Sequence, residues 1–201
     1  MKRLSNINHK YLLLAVIFTL AFSSTVFADE VIRVTDVKGD ALFRELGDYM
    51  WSKPEIGQFI FAGDRLRVRF GEAAIEFPQG TLRIIDQGEV ELPVQLVDGF
   101  AAPWKNDLTL FIGSYEFESN GSEGRLKIQT LFGVIDVGGA ARFTIDTNVN
   151  GSEIKVLAGN VRIKHRKNRT QSPITLGSGQ SLGIGLRGFQ LAKGNIGVVP
   201  M

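Results

Sequence analysis

The stretch FTIDTNVNGSEIKVLAGNVRI, from Phe143 to Ile163, alternates apolar and polar side chains and is cut twice by glycine-containing turns. Phe143 and Ile145 alternate with Arg142, Thr144 and Asp146. Val161 and Ile163 alternate with Asn160, Arg162 and Lys164. Leu126, Ile128 and Thr130 do the same against Arg125, Lys127 and Gln129. Successive strand side chains point to opposite faces, so such runs bury one face and wet the other. No long window places apolar residues at i, i+3, i+4 and i+7, the spacing a helix needs. The chain is therefore expected to be all-β.

Turn signals recur at the spacing that short strands require. Lys38-Gly39-Asp40, Ala62-Gly63-Asp64, Pro78-Gln79-Gly80, Asp98-Gly99, Asn120-Gly121, Asn150-Gly151 and Ala158-Gly159-Asn160 each separate two alternating runs. Asn-Gly and Asp-Gly tolerate the positive φ of tight hairpin turns. The expectation is a single domain of short antiparallel strands, built as a twisted β-sandwich of jelly-roll type or as a short β-solenoid. Residues 44–58 and 98–107 carry proline, tryptophan and charge and read as longer loops. The end of the chain, LRGFQLAKGNIGVVPM, reads as a last edge strand or a partly ordered tail.

The N-terminus belongs to a different class of sequence. Lys2, Arg3 and Lys10 precede the apolar run YLLLAVIFTLAF, and SSTVFA follows with Val26 and Ala28 at the small-residue positions. This pattern predicts a secretory signal peptide over 1–28, cut before Asp29, with the all-β domain over 29–201 and no membrane span after cleavage. The expected location is the bacterial periplasm or beyond.

Cleavage changes the charge argument. The chain has 23 Lys and Arg against 21 Asp and Glu, and the leader holds three of the basic residues and no acidic one. The exported part is then close to neutral, which removes the excess of positive charge that nucleic-acid binding needs. There is no cysteine, so neither a disulfide nor a thiolate metal site can form.

Catalytic patterns are weak. Outside the leader His165 is the single histidine, and it lies in KHRKNR, which reads as a basic hairpin tip unsuited to orienting a base. No G-x-x-x-x-G-K-[ST] phosphate-binding loop is present. The Gly-rich GSGQSLGIG, residues 177–185, reads as a loop entering a strand. Glu45, Asp48, Asp64 and Glu76 could supply a carboxylate pair, but surface carboxylates on strands are the default reading. The expectation is a non-enzyme with no cofactor and no metal. The candidate partner-binding residues are Trp104 and the basic set Arg162, Lys164, His165, Arg166, Lys167 and Arg169. They could meet an envelope protein or an anionic glycan. Trp51 is expected to pack in the core.

Several segments, in order, resemble the FecR domain family, a periplasmic all-β module of bacteria. Trp51, Gly57, Gly63-Asp64, RLRVRFGEAAIEF and PQGTLRI match its first half. TLFGVIDVGGAARF, VLAGNVRI and GQSL match its second. The best-known members of that family relay signals from an outer-membrane receptor to a cytoplasmic sigma factor. Those sensors carry a cytoplasmic segment before one membrane span. Here ten residues precede the apolar run, so the resemblance implies a stand-alone exported FecR-like module in envelope signalling or regulation. Its expected mechanism is presentation of a sheet edge or loop to a partner. The alternative is a structural protein that binds envelope polysaccharide or peptidoglycan.

Overall fold

A computed structural model describes residues 32–97, 100–102, 106–122, 124–167 and 170–191. The expected signal segment, Trp104 and Arg169 lie outside the described residues. The described chain is all strand and turn. Its strands are β1 (Arg33–Arg44), β2 (Arg65–Phe77), β3 (Gly80–Ile85), β4 (Gly88–Glu91), β5 (Gln95–Val97), β6 (Phe100–Ala102), β7 (Asp107–Leu110), β8 (Gly113–Ser119), β9 (Leu126–Gln129), β10 (Gly133–Val137), β11 (Ala141–Thr147), β12 (Gly151–His165), β13 (Ile174–Gly177), β14 (Ser181–Gly185) and β15 (Gly188–Leu191).

The strands close on themselves. The hydrogen-bonded order β10-β9-β7-β4-β2-β3-β8-β11-β12 returns to β10 through the β10–β12 pairing, which makes a ring of nine strands. Pairing within the ring is antiparallel except for β7 and β9, which run parallel. β1 lies on the outer edge of β2, β13 and β14 lie on that of β12, and β15 extends β14. The expected all-β class holds. A sandwich with open edges or a stack of solenoid coils does not describe a closed ring, so the finer architecture is corrected to a barrel with extra strands. Closure satisfies the backbone groups that an open sheet leaves at its edges.

Two long, bent strands achieve this closure. β2 pairs with β4 through Arg65–Val68 and with β3 through Glu72–Phe77, on the same edge. β12 pairs with β11 through Ser152–Gly159 and with β10 through Arg162–His165, again on one edge. Each strand must turn between its two partners, and glycine marks the turn. Gly39 and Gly71 face each other across β1 and β2 with φ of 92° and 94°. A Cβ on Gly71 would stand 2.1 Å from the Lys38 carbonyl oxygen, so no other residue fits without moving backbone. The expected alternation then fills the ring. Phe117, Phe143, Ile145, Ile154, Val161 and Ile163 are fully buried in one continuous core, with the rings of Phe117 and Phe143 tilted at 43° and 5.4 Å between centres. Burying each such side chain is worth about 1.5–3 kcal/mol.

Candidate functional site

Turns from both runs of the ring converge on one cleft of about 610 Å³. Gln87–Glu89 enter from the β3–β4 turn, Thr109–Ile112 from the end of β7, Leu131 from the β9–β10 turn, Thr147 from the end of β11 and Arg166 from the end of β12. Arg67, Val68 and Arg69 of β2 complete it. Local chemistry explains two of these turns. Asn148 accepts from the amides of Asn150 at 2.8 Å and Gly151 at 3.2 Å through its side-chain oxygen, an Asx turn. Thr130 accepts from the Gly133 amide at 3.0 Å through its hydroxyl.

Beneath the cleft, polar groups tie the two runs of the ring together. The Tyr115 hydroxyl, on β8, accepts from the Glu89 amide at 2.9 Å. It donates towards the carbonyls of Glu89 at 2.9 Å and Phe111 at 3.2 Å. Burial pushes the phenol well above its ordinary range. Thr147 Oγ1 lies 3.0 Å from Ser152 Oγ, which donates to Thr130 Oγ1 at 3.2 Å. Thr130 in turn reaches the Gly133 carbonyl at 3.3 Å. All three hydroxyl residues are buried, and the chain of bonds gives each a partner.

The rim is cationic and its charges are held in place. Arg67 forms a fork with Glu89, Nε at 2.7 Å and Nη2 at 2.5 Å from Oε2. Arg65 meets the same carboxylate at 3.2 Å and Glu91 at 2.5 Å, so Glu89 is shared by two guanidinium groups. Arg69 pairs with Asp40. Arg166 donates to the Thr130 carbonyl at 3.3 Å and has no carboxylate partner among the described residues. Phe111, Ile112 and Leu131 supply the apolar wall, and Ile112 and Leu131 are about half exposed, at 48% and 50%.

The candidates expected from sequence separate. Arg166 reaches the cleft rim. Arg162 and Lys167 are exposed away from it, and Lys164 is tied to Asp136 at 2.6 Å. His165 corrects the expectation of a wet hairpin tip, because it is 6% exposed. Its Nε2 donates to the Gly185 carbonyl at 2.8 Å, and its Nδ1 accepts from the Lys167 amide at 3.2 Å. Its ring also meets Phe189 edge-on at 6.0 Å. The reason is the same alternation that turns Val161 and Ile163 inward, carried one step further. Trp51 is a second correction. It stands half-buried outside the core, with the guanidinium carbons of Arg67 and Arg44 at 4.4 and 4.9 Å from its ring centre.

Sequence reasoning missed Arg67, Arg69 and Leu131. The run RLRVRF carries a usable signal, since Leu66 and Val68 facing inward leave three arginines on one outer face. What it lacks is the partner turn, which comes from far along the chain. The weighed carboxylates also find places. Asp64 is buried and accepts from the amides of Leu46 and Phe61, each at 2.9 Å. Glu76 pairs with Arg33 at 2.7 Å. Asp64 thereby anchors a second apolar surface, where Leu46, Ile56, Phe59 and Phe61 border a shallow groove, and Tyr49 and Met50 of the same loop are exposed.

No known family profile and no curated protein matches the chain. Among solved structures, two crystal structures at 1.65 and 2.50 Å of a protein provisionally described as an anti-sigma factor, from Parabacteroides distasonis ATCC 8503, are similar in fold. Identities are 13% and 12%, the TM-score is 0.42 for both, and the match covers 66% of this chain. The match spans 57% and 58% of those chains, under two thirds of their length. Likeness at this level carries neither function nor partner to this chain.

Proposed function

We propose that this chain is a non-catalytic binding module of the bacterial cell envelope, FecR-like in kind, that engages a protein partner in signalling or regulation. The observation that carries this reading is the cleft. Its wall is apolar, its basic rim is fixed by Glu89 and Asp40, and buried hydrogen bonds hold the turns that form it. Groups locked in ion pairs are suited to presenting charge, whereas proton transfer needs a group free to exchange its proton. Half-exposed apolar side chains on firmly held turns are what a partner surface covers.

Among the described residues, strand addition remains open to this module at the outer strands and at the separate β5–β6 pair. Within the ring each strand has both neighbours, while β1, β13 and β15 each pair with one strand in the sheet. The ends of β1 are also partly covered, since Ser52 pairs with Phe43 and the Val34 amide donates to Gln58 at 2.9 Å. In-cell photo-cross-linking tests the reading, with probes at Leu131 and at Lys38 of the β1 edge. A discrete protein adduct from either position is expected. Adducts to glycan alone, or none from both positions, would overturn it.

A further inference from the structure

We infer that the cleft recognises an acidic segment of a protein partner, one that places an apolar side chain between its carboxylates. This deepens the binding-module reading and rests on it. Three arginines and one carboxylate line the cleft, and Glu89 is already shared between Arg65 and Arg67. Arg69 has Asp40. Arg166 makes one hydrogen bond, to a neutral carbonyl, and its charge is unmatched among the described residues. A guanidinium presents a planar fork of donors that fits a carboxylate in two-point geometry. The cleft therefore has a cation to spare, set beside Leu131 and Ile112.

The apolar part fixes the rest of the ligand. Leu131 and Ile112 sit half exposed on different turns of the cleft, which Phe111 and Val68 also line. A volume of about 610 Å³ holds a few side chains. It does not continue inward, because the ring is filled by the core and a long acyl chain would find no tunnel. An apolar anchor with acidic neighbours satisfies both halves of the site. Recognition is by side chains, since the cleft is built from turns and ring strands that have no free edge.

The probe is a display library of random peptides of about 12 residues, selected on the full chain. The selected peptides are expected to carry Asp or Glu next to Leu, Ile or Phe. Their binding should fall at least about tenfold in Arg166→Glu and in Leu131→Ser, and should weaken with added salt. Lys38→Glu, on the outer β1 edge, should leave it unchanged. Leu131 and Arg166 are exposed enough for both variants to keep the barrel, which thermal melting checks. Selection of peptides without acidic residues would overturn the inference. So would insensitivity to both variants, or full displacement of the peptide by laurate. If the photo-probe at Lys38 captures a protein and the probe at Leu131 does not, the cleft assignment falls and the binding-module reading stands. If neither captures one, both fall.

Discussion

Tyr115 and Asp64 hold up two different apolar surfaces, and they do so by different means. Tyr115 is a core residue whose hydroxyl reaches from β8 to β4 and fixes the floor of the arginine-rimmed cleft. Asp64 is a turn residue whose carboxylate ties down the two ends of an exposed loop at Leu46 and Phe61. The cleft is therefore part of the barrel's closure, and distorting it disturbs the pairing of the two runs. The loop surface is an attachment. Its conformation depends on a few bonds, and its exposed Tyr49, Met50 and Phe59 add little to the fold. Each surface therefore draws its rigidity from a different source, and each can be loosened at its own anchor.

The largest effect is expected at Asp64. Asp64→Ala removes two charge-assisted acceptors and leaves the amides of Leu46 and Phe61 without them, a loss of about 3 kcal/mol by chemical denaturation. Hydrogen exchange should rise in residues 44–62 while the cleft strands β4 and β8 stay protected. Loss of protection at β4 would show that the loop is integral to the barrel. Tyr115→Phe comes next. It keeps the ring in the core but leaves the buried Glu89 amide unsatisfied, at a cost of about 1–3 kcal/mol. Here exchange should rise at β4 and at Phe111–Gly113, with the Asp64 loop unchanged.

The same tyrosine gives the comparison a pH axis. Its folded-state pKa lies above the unfolded value near 10. As pH rises past about 10, the unfolded chain gives up this proton while the folded chain keeps it, so stability falls. The contribution is complete below that range and is lost as pH climbs toward the folded value. Alkaline unfolding should therefore be shallower in Tyr115→Phe than in the parent, measured by denaturant midpoints between about pH 9 and 11. Equal slopes would place the alkaline lability elsewhere.

Much of the scaffold was legible because alternation is a local property. Phe143, Ile145, Val161 and Ile163 could be turned inward from neighbours alone. Gly63 marked a reversal with φ of 96°, whereas Gly39 and Gly159, expected at turns, lie inside the continuous strands β1 and β12 with φ of 92° and 74°. Ring closure was not legible, since it depends on β10 finding β12 and on β2 serving β3 and β4 with one edge. Long-range pairing leaves no mark within a ten-residue window. The site suffered in the same way. Arg166 was visible as one of a basic cluster, but what singles it out is its meeting with Leu131 and β2. His165 was the opposite case, where the local rule held and the reading of KHRKNR as a uniformly wet tip overrode it.

A smaller test concerns the hydroxyl chain. Ser152→Ala removes the link between Thr147 and Thr130 but leaves Thr130 its bonds with Gly133, so the expected loss is about 1 kcal/mol. Combined with Tyr115→Phe it asks whether the two ties act as one unit. They lie on different strands and share no bonded atom. If each supports its own turn, the losses should add within about 0.5 kcal/mol, and peptide binding at the cleft should weaken in each single variant. A coupling above about 1 kcal/mol would mean that closing the barrel at this end is one cooperative event. The cleft would then form only when both ties are made. The loop surface should be indifferent in either case, since Asp64 and its two amide partners touch neither tie.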